Sequence, residues 1–254
     1  MKICFLDIEA NGLPENEKAL PLEVAVVTVD FKHRRVVRAF SETLNFFASE
    51  SFTNEVGEDT FKVHGMSTAF VHEHGLREQS DFILRLRNAM LDCDGVFARN
   101  GLAYDKIMLA RIFRSGPMPD VTWIDDYFDV DYPEWVKGRS LSYIAADHGF
   151  LNPFAHSALG DTLTLAYLML KGQYDMEKAL ASAKTPLVLT IADVSFDKKD
   201  LAKKAGFQWN GLRKRWFKIN REPKSKLMTD LAFRITQEPI SNDTMAKWQN
   251  EARS

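Results

Sequence analysis

A largely apolar run at residues 2–6 passes without a break into Asp7-Ile8-Glu9. A run this short reads as a strand buried on both faces, because a helix needs ten or more residues to show its period. Asn11-Gly12 follows as a turn signal. A valine-rich segment at 22–29 reads as a second buried strand, and the more alternating segment 34–44 as a third. A three-strand meander with short loops is the economical arrangement, and it leaves two acids at the end of its first strand.

The pattern then changes. Residues 45–77 are polar and irregular, with scattered Phe and His, and suggest short helical turns. Segment 78–90 carries Phe82, Ile83, Leu86 and Met90 at helical spacing. Segment 94–98 is a short strand, and 105–114 is a helix with Ile107, Met108, Ile112 and Phe113 as its apolar set. A further short strand falls at 121–124, with helices at 141–148 and 157–170. The second of these sets Leu159, Leu163, Ala166, Tyr167 and Leu170 on one side. Strands followed by strand–helix alternation imply an α/β or α+β domain with a mixed sheet. Its expected extent is 1–182.

A small α+β module is expected at 186–254. It has a strand at 187–194, a helix at 197–205 capped by Asp197, and a hairpin from 207–209 and 215–219 around Asn210-Gly211. A helix is expected at 223–233, and a frayed helix or disordered tail at 242–254.

Composition limits the function classes. With 45% hydrophobic and 27% charged residues, the chain reads as soluble and globular. No apolar run approaches the ~18 residues that span a bilayer. Too few residues precede the first acid for a secretory leader. Two cysteines, Cys4 and Cys93, make a disulfide framework improbable and fit a cytoplasmic location. The net charge of −2 conceals a division: residues 1–184 hold 19 Lys and Arg against 27 Asp and Glu, whereas 185–254 hold 14 against 8. The two parts have different electrostatic work.

Three short signals carry the chemistry. Strand alternation puts Asp7 and Glu9 on one face, a good oxygen site for Mg²⁺ or Mn²⁺. Asn100 and Asp105 bracket a strand-to-helix loop, although an acid at a helix start needs no function. His156 and Asp161 flank the start of a late helix. Each signal alone also fits a solvated surface group.

Their order is more specific. Asp-x-Glu on a first strand, Asn-x₄-Asp at a strand-to-helix loop and His-x₄-Asp on a late helix resemble the DEDDh (DnaQ-like) 3′→5′ exonucleases, within the ribonuclease H-like superfamily. The resemblance extends over about residues 2–171. It includes Phe61-Lys62-Val63-His64-Gly65-Met66-Ser67, Trp123-Ile124-Asp125, and Arg139-Ser140-Leu141-Ser142-Tyr143-Ile144-Ala145. It implies a mixed five-stranded sheet flanked by helices. It also implies two divalent cations held by Asp7, Glu9, Asp105 and Asp161, with His156 as general base. Imidazole suits that role because it exchanges a proton near neutral pH. Ile8, Asn11 and His64 would lie beside the 3′ nucleotide, and Asn100 would belong to the same substrate region. Arg99 stands where the family usually has His, and either touches a phosphate or pairs with a surface acid. The remaining histidines, His33, His72, His74 and His148, read as surface residues.

Between 198 and 226 lie eleven basic residues, opposed only by Asp200 and Glu222 and interleaved with Phe207, Trp209, Trp216 and Phe217. Lys199, Lys203, Arg213, Arg215 and Trp216 are the candidates for accessory nucleic-acid binding. The two tryptophans equally suit the core of so small a module. The functional expectation is an exonuclease acting on DNA, and the basic module suits a longer polymer better than very short oligonucleotides. A 3′→5′ exoribonuclease and a proofreading subunit of a polymerase are the rivals.

Overall fold

The computed structural model describes the chain apart from residues 47–54, 115, 139, 223, 225–227, 229–230 and 253–254. The chain divides into two compact units, Met1–Leu180 and Ala181–Ser254.

In the first unit, β1 (Lys2–Ala10), β2 (Pro21–Asp30) and β3 (Arg35–Thr43) form the antiparallel meander. Helices α1 (Glu58–His64), α2 (Thr68–His74) and α3 (Ser80–Leu91) follow. β4 (Gly95–Ala98) then pairs parallel to β1, and β5 (Trp123–Asp125) parallel to β4. The sheet order is β3-β2-β1-β4-β5, the mixed five-stranded sheet implied by the resemblance. α4 (Asp105–Ile112) joins β4 to β5. α5 (Asp126–Asp129), α6 (Leu141–Asp147), α7 (Ala158–Lys171) and α8 (Met176–Ala183) complete the helices, and α8 crosses the division between the units. β1 and β2 are mostly apolar through their middles because both of their faces are covered there; α7 packs across the two of them.

α7 buries Ala158, Thr162, Leu165, Ala166, Leu168 and Met169, whereas Leu163 and Tyr167 are exposed. The expected apolar side is therefore rotated. Thr162 sits on the packed face because its hydroxyl donates to the Ala158 carbonyl and satisfies itself. Tyr167 instead meets Phe150 edge-on at 4.9 Å. His148 is also not a surface residue: it is half-buried, with its ring between the Ile144 carbonyl and the Tyr174 hydroxyl, both at 2.8 Å.

The second unit is built on β6 (Leu187–Asp193), α9 (Lys199–Lys204), β7 (Gln208–Asn210), β8 (Arg215–Arg221), β9 (Arg234–Ile240) and α10 (Asn242–Glu251). Its antiparallel sheet has the order β7-β8-β6-β9. β9 is unanticipated from the sequence. It is an exposed edge strand that carries Pro239, which an edge tolerates. The expected helix at 223–233 lies largely outside the described residues. α10 takes the helical alternative expected for 242–254, but packed rather than frayed: it buries Met245, Ala246 and Trp248, and the Ser241 hydroxyl accepts from the Thr244 amide at its start. Among the described residues no helix is long and apolar enough to cross a membrane.

Candidate active site

β1 presents Asp7 and Glu9 on one face, both half-buried, with a register shift between Glu9 and Ala10 where the strand ends. Asp105 is the first residue of α4 and is only 2% exposed. Asp161 lies in the first turn of α7. His156 immediately precedes the cap residue Ser157, at φ +64, a strained left-handed conformation for a residue with a side chain. That turn is held by the His156 amide, which donates to Asp161 Oδ2 at 3.2 Å, and by Asn152, whose side-chain amide donates to Asp161 Oδ1. Gly160 is required here, because a Cβ would collide with the Phe154 carbonyl.

The result is a cluster. Glu9, His156 and Asp161 each offer a donor atom, and these atoms lie within 4.8 Å of one another. Asp7 and Asp105 are outside that trio but share its field. Burial pushes the Asp7 carboxyl well above its ordinary range, reinforced by Asp105, Glu9, Asp161 and Glu23. Burial raises Asp105 likewise, with Asp125 and Glu9 adding and its own amide and that of Ile8 opposing. Glu9 is pushed up to about 7 by burial, then by Asp161 and Glu23. Asp161 rises by burial, against hydrogen bonds from Asn152 and the His156 amide. Among the described residues no Lys or Arg forms an ion pair with these acids, and Asp105 Oδ1 is buried without a hydrogen-bond partner. Gathered carboxylates of this kind must either take up protons or receive a cation. Hard oxygens with one imidazole suit Mg²⁺ or Mn²⁺.

Two residues went unread in the sequence. Glu23 is the cross-strand partner of Glu9, and its Oε2 accepts from the Ala158 amide at the start of α7 at 2.9 Å. Its Oε1 accepts from the Ser41 hydroxyl at 2.9 Å. The available signal was a lone acid in an otherwise apolar strand. Asn152 had no signal, since its value depends on a loop folding back onto Asp161.

The expected substrate residues divide. His64 ends α1 before Gly65 at φ +73; burial lowers its imidazole pKa, opposed by the Ala10 backbone and by Glu23 and reinforced by His156. The Ile8 side chain is 2% exposed on the opposite side of β1 from the acids, so what it turns toward Asp105 is its amide. Asn11 closes the loop after β1, its Oδ1 accepting from the Leu20 amide at 2.6 Å. Arg99 pairs with Asp126, an acid that is buried rather than on the surface, and its guanidinium lies 4.8 Å from the Tyr127 ring. Asn100, at φ +54, donates its amide to the same Asp126.

In the second unit, Lys203 and Arg215 are exposed and Lys199 is half-buried. Arg213 and Trp216 are used internally. Arg213 pairs with Glu251 and lies over the Trp248 ring at 4.5 Å. Trp216 belongs to a core with Ala192, Ala202 and Phe207.

Residues 4–169 match the family model described as "Exonuclease", and residues 188–235 match a domain of unknown function. The chain belongs to this exonuclease family. Its fold is shared with solved DEDDh-type nucleases. A structure of E. coli exonuclease I with a dT13 oligonucleotide superposes with TM-score 0.53 at 13% identity, over 75% of this chain and 48% of that one. A zinc-bound E. coli exonuclease I–ssDNA complex gives 0.59 at 12%, over 99% and 70%. The nuclease domain of 3′hExo, a DEDDh family member bound to rAMP, gives 0.51 at 14%, over 68% and 91%. In the dT13 complex this chain thus spans about half the length of exonuclease I. No curated protein matches the chain.

Proposed function

We propose that this chain is a metal-dependent 3′→5′ exonuclease that releases nucleoside 5′-monophosphates from DNA. The observation that carries the proposal is the convergence of Glu9, His156 and Asp161 within 4.8 Å, beside half-buried Asp7 and buried Asp105. Asp7, Glu9, Asp105 and Asp161 would hold two divalent ions, Mg²⁺ or Mn²⁺. Bound there, such ions supply Lewis-acid charge at a scissile phosphate. His156 is the general base that takes the proton of the attacking water, and its exposed position gives it access to solvent and substrate. Asn152 and the His156 amide fix the carboxylate of Asp161. Glu23 anchors the start of α7, and so sets the distance between His156 and the strand acids. His64 forms a wall of the same pocket. The basic second unit retains a long strand near the cleavage site by linkage on one chain.

The preference for DNA draws support from the fold shared with oligodeoxynucleotide complexes. The 3′hExo structure with rAMP favours the exoribonuclease alternative, because it shares the same fold. The deciding experiment presents 3′-labelled single-stranded DNA, duplex DNA and RNA with Mg²⁺, Mn²⁺ or EDTA. Labelled mononucleotide should appear fastest from DNA, with no product in EDTA. Faster release from RNA would transfer the assignment to the exoribonuclease, and release in EDTA would refute the metal mechanism.

A further inference from the structure

The domain of unknown function contains a cleft that no part of the exonuclease reading requires. β7 is an edge strand of its sheet and carries Trp209. Its cross-strand neighbour Trp216 lies 5.3 Å away between ring centroids, inclined at 56°. Trp216 is 6% exposed, but Trp209 is 41% exposed. Around this pair, Asp193 and Val194 at the end of β6 and Lys214 and Arg215 at the start of β8 line an open cleft. Lys214 and Arg215 are both exposed. The indole N–H of Trp216 is buried without a hydrogen-bond partner.

We propose that this cleft binds an unpaired nucleotide within a single-stranded nucleic acid, its base stacked on Trp209 and its phosphate held by Lys214 and Arg215. An open indole face stacks on any base, provided that the base is not already paired. The two cations neutralise backbone phosphate. Asp193 opposes a bare anion but accepts a hydrogen bond from a base amino group, so the cleft suits a nucleotide better than inorganic phosphate or an acidic peptide. The whole segment 185–254, with 14 basic against 8 acidic residues, adds attraction for a polyanion. The proposal rests on the exonuclease reading for its purpose, which is to retain a strand while its end is trimmed.

The test uses the full chain carrying D161N, in EDTA, with a fluorescein-labelled dC 20-mer followed by anisotropy over a range of salt concentrations. W209A should weaken binding about 5-fold or more, the loss of one stacked base. W209F should recover most of it. K214A/R215A should weaken binding and reduce the salt slope by about 1.4, two single-strand phosphate contacts. A blunt duplex should not respond to W209A. The proposal is overturned if W209A and K214A/R215A bind the 20-mer as tightly as the parent, or if W209A weakens duplex binding equally. Tight binding of a labelled poly-glutamate peptide that W209A abolishes would also overturn it, in favour of a protein partner. Metal-dependent hydrolysis of thymidine 5′-monophosphate p-nitrophenyl ester by the unmodified chain reads the catalytic unit separately. Its absence would count against the exonuclease reading while the anisotropy result still stands.

Discussion

The acid site and the basic module use charge in opposite ways. In the first unit, Asp7, Glu9, Glu23, Asp105 and Asp161 converge from two strands and two helix starts, and burial raises the pKa of four of them. In the second, charge is dispersed and partly consumed. Arg213 serves Glu251, Lys218 donates to the Ala205 carbonyl, and buried Arg221 donates to the Thr185 carbonyl. Charge left without a partner under burial marks chemistry, whereas a count of basic residues measures only composition. The most informative residue of the basic module is consequently an exposed tryptophan.

The largest expected effect lies in the acid site. Glu9→Gln or Asp161→Asn should reduce turnover at least about 10³-fold. For Glu9→Gln the metal-free protein should also gain stability. The folded carboxyl titrates at about 7, above its ordinary value, so the folded state retains a proton that the unfolded state releases. Stability in EDTA therefore falls as pH rises through the interval between those two values, and Glu9→Gln removes that share of the fall, leaving the shares of Asp7, Asp105 and Asp161. The gain at pH 8 should be on the order of 2 kcal/mol, read by thermal melts from pH 4.5 to 8. A variant that loses activity without this change in pH dependence would break the comparison.

Arg99→Met comes next. Leaving Asp126 buried without its partner should cost about 3–5 kcal/mol in denaturant unfolding. If Arg99 instead held substrate phosphate, stability would hardly change and KM would rise.

Glu23→Ala should lower kcat about 10- to 100-fold with a smaller change in KM, because it frees the start of α7. Glu23→Gln keeps an acceptor oxygen and should restore most of that loss; equal losses in both variants would show that its charge matters more than its position. The smallest effect is expected at Arg213: Arg213→Ala should change oligonucleotide affinity less than about 2-fold, since the side chain is already engaged, whereas Arg215→Ala should remove a phosphate contact.

The sequence made the meander, the strand–helix alternation and the acids legible because each depends on local periodicity or on an ordered set of motifs. Other features depend on tertiary context. The face of α7 was rotated by a threonine that satisfies its own hydroxyl. β9 escaped because an exposed edge strand needs little apolar alternation. Glu23 gained meaning only from its register opposite Glu9. Trp209 and Trp216 look alike in sequence and differ because one lies on the edge strand.

A 5′-labelled single-stranded DNA 30-mer, sampled over time with Mg²⁺ and resolved by length, tests the central claim most directly. A ladder of labelled fragments that shortens progressively from full length, abolished by EDTA and by Asp161→Asn, is the predicted result. Labelled mononucleotide as the first product, or the same ladder from Asp161→Asn, would contradict it.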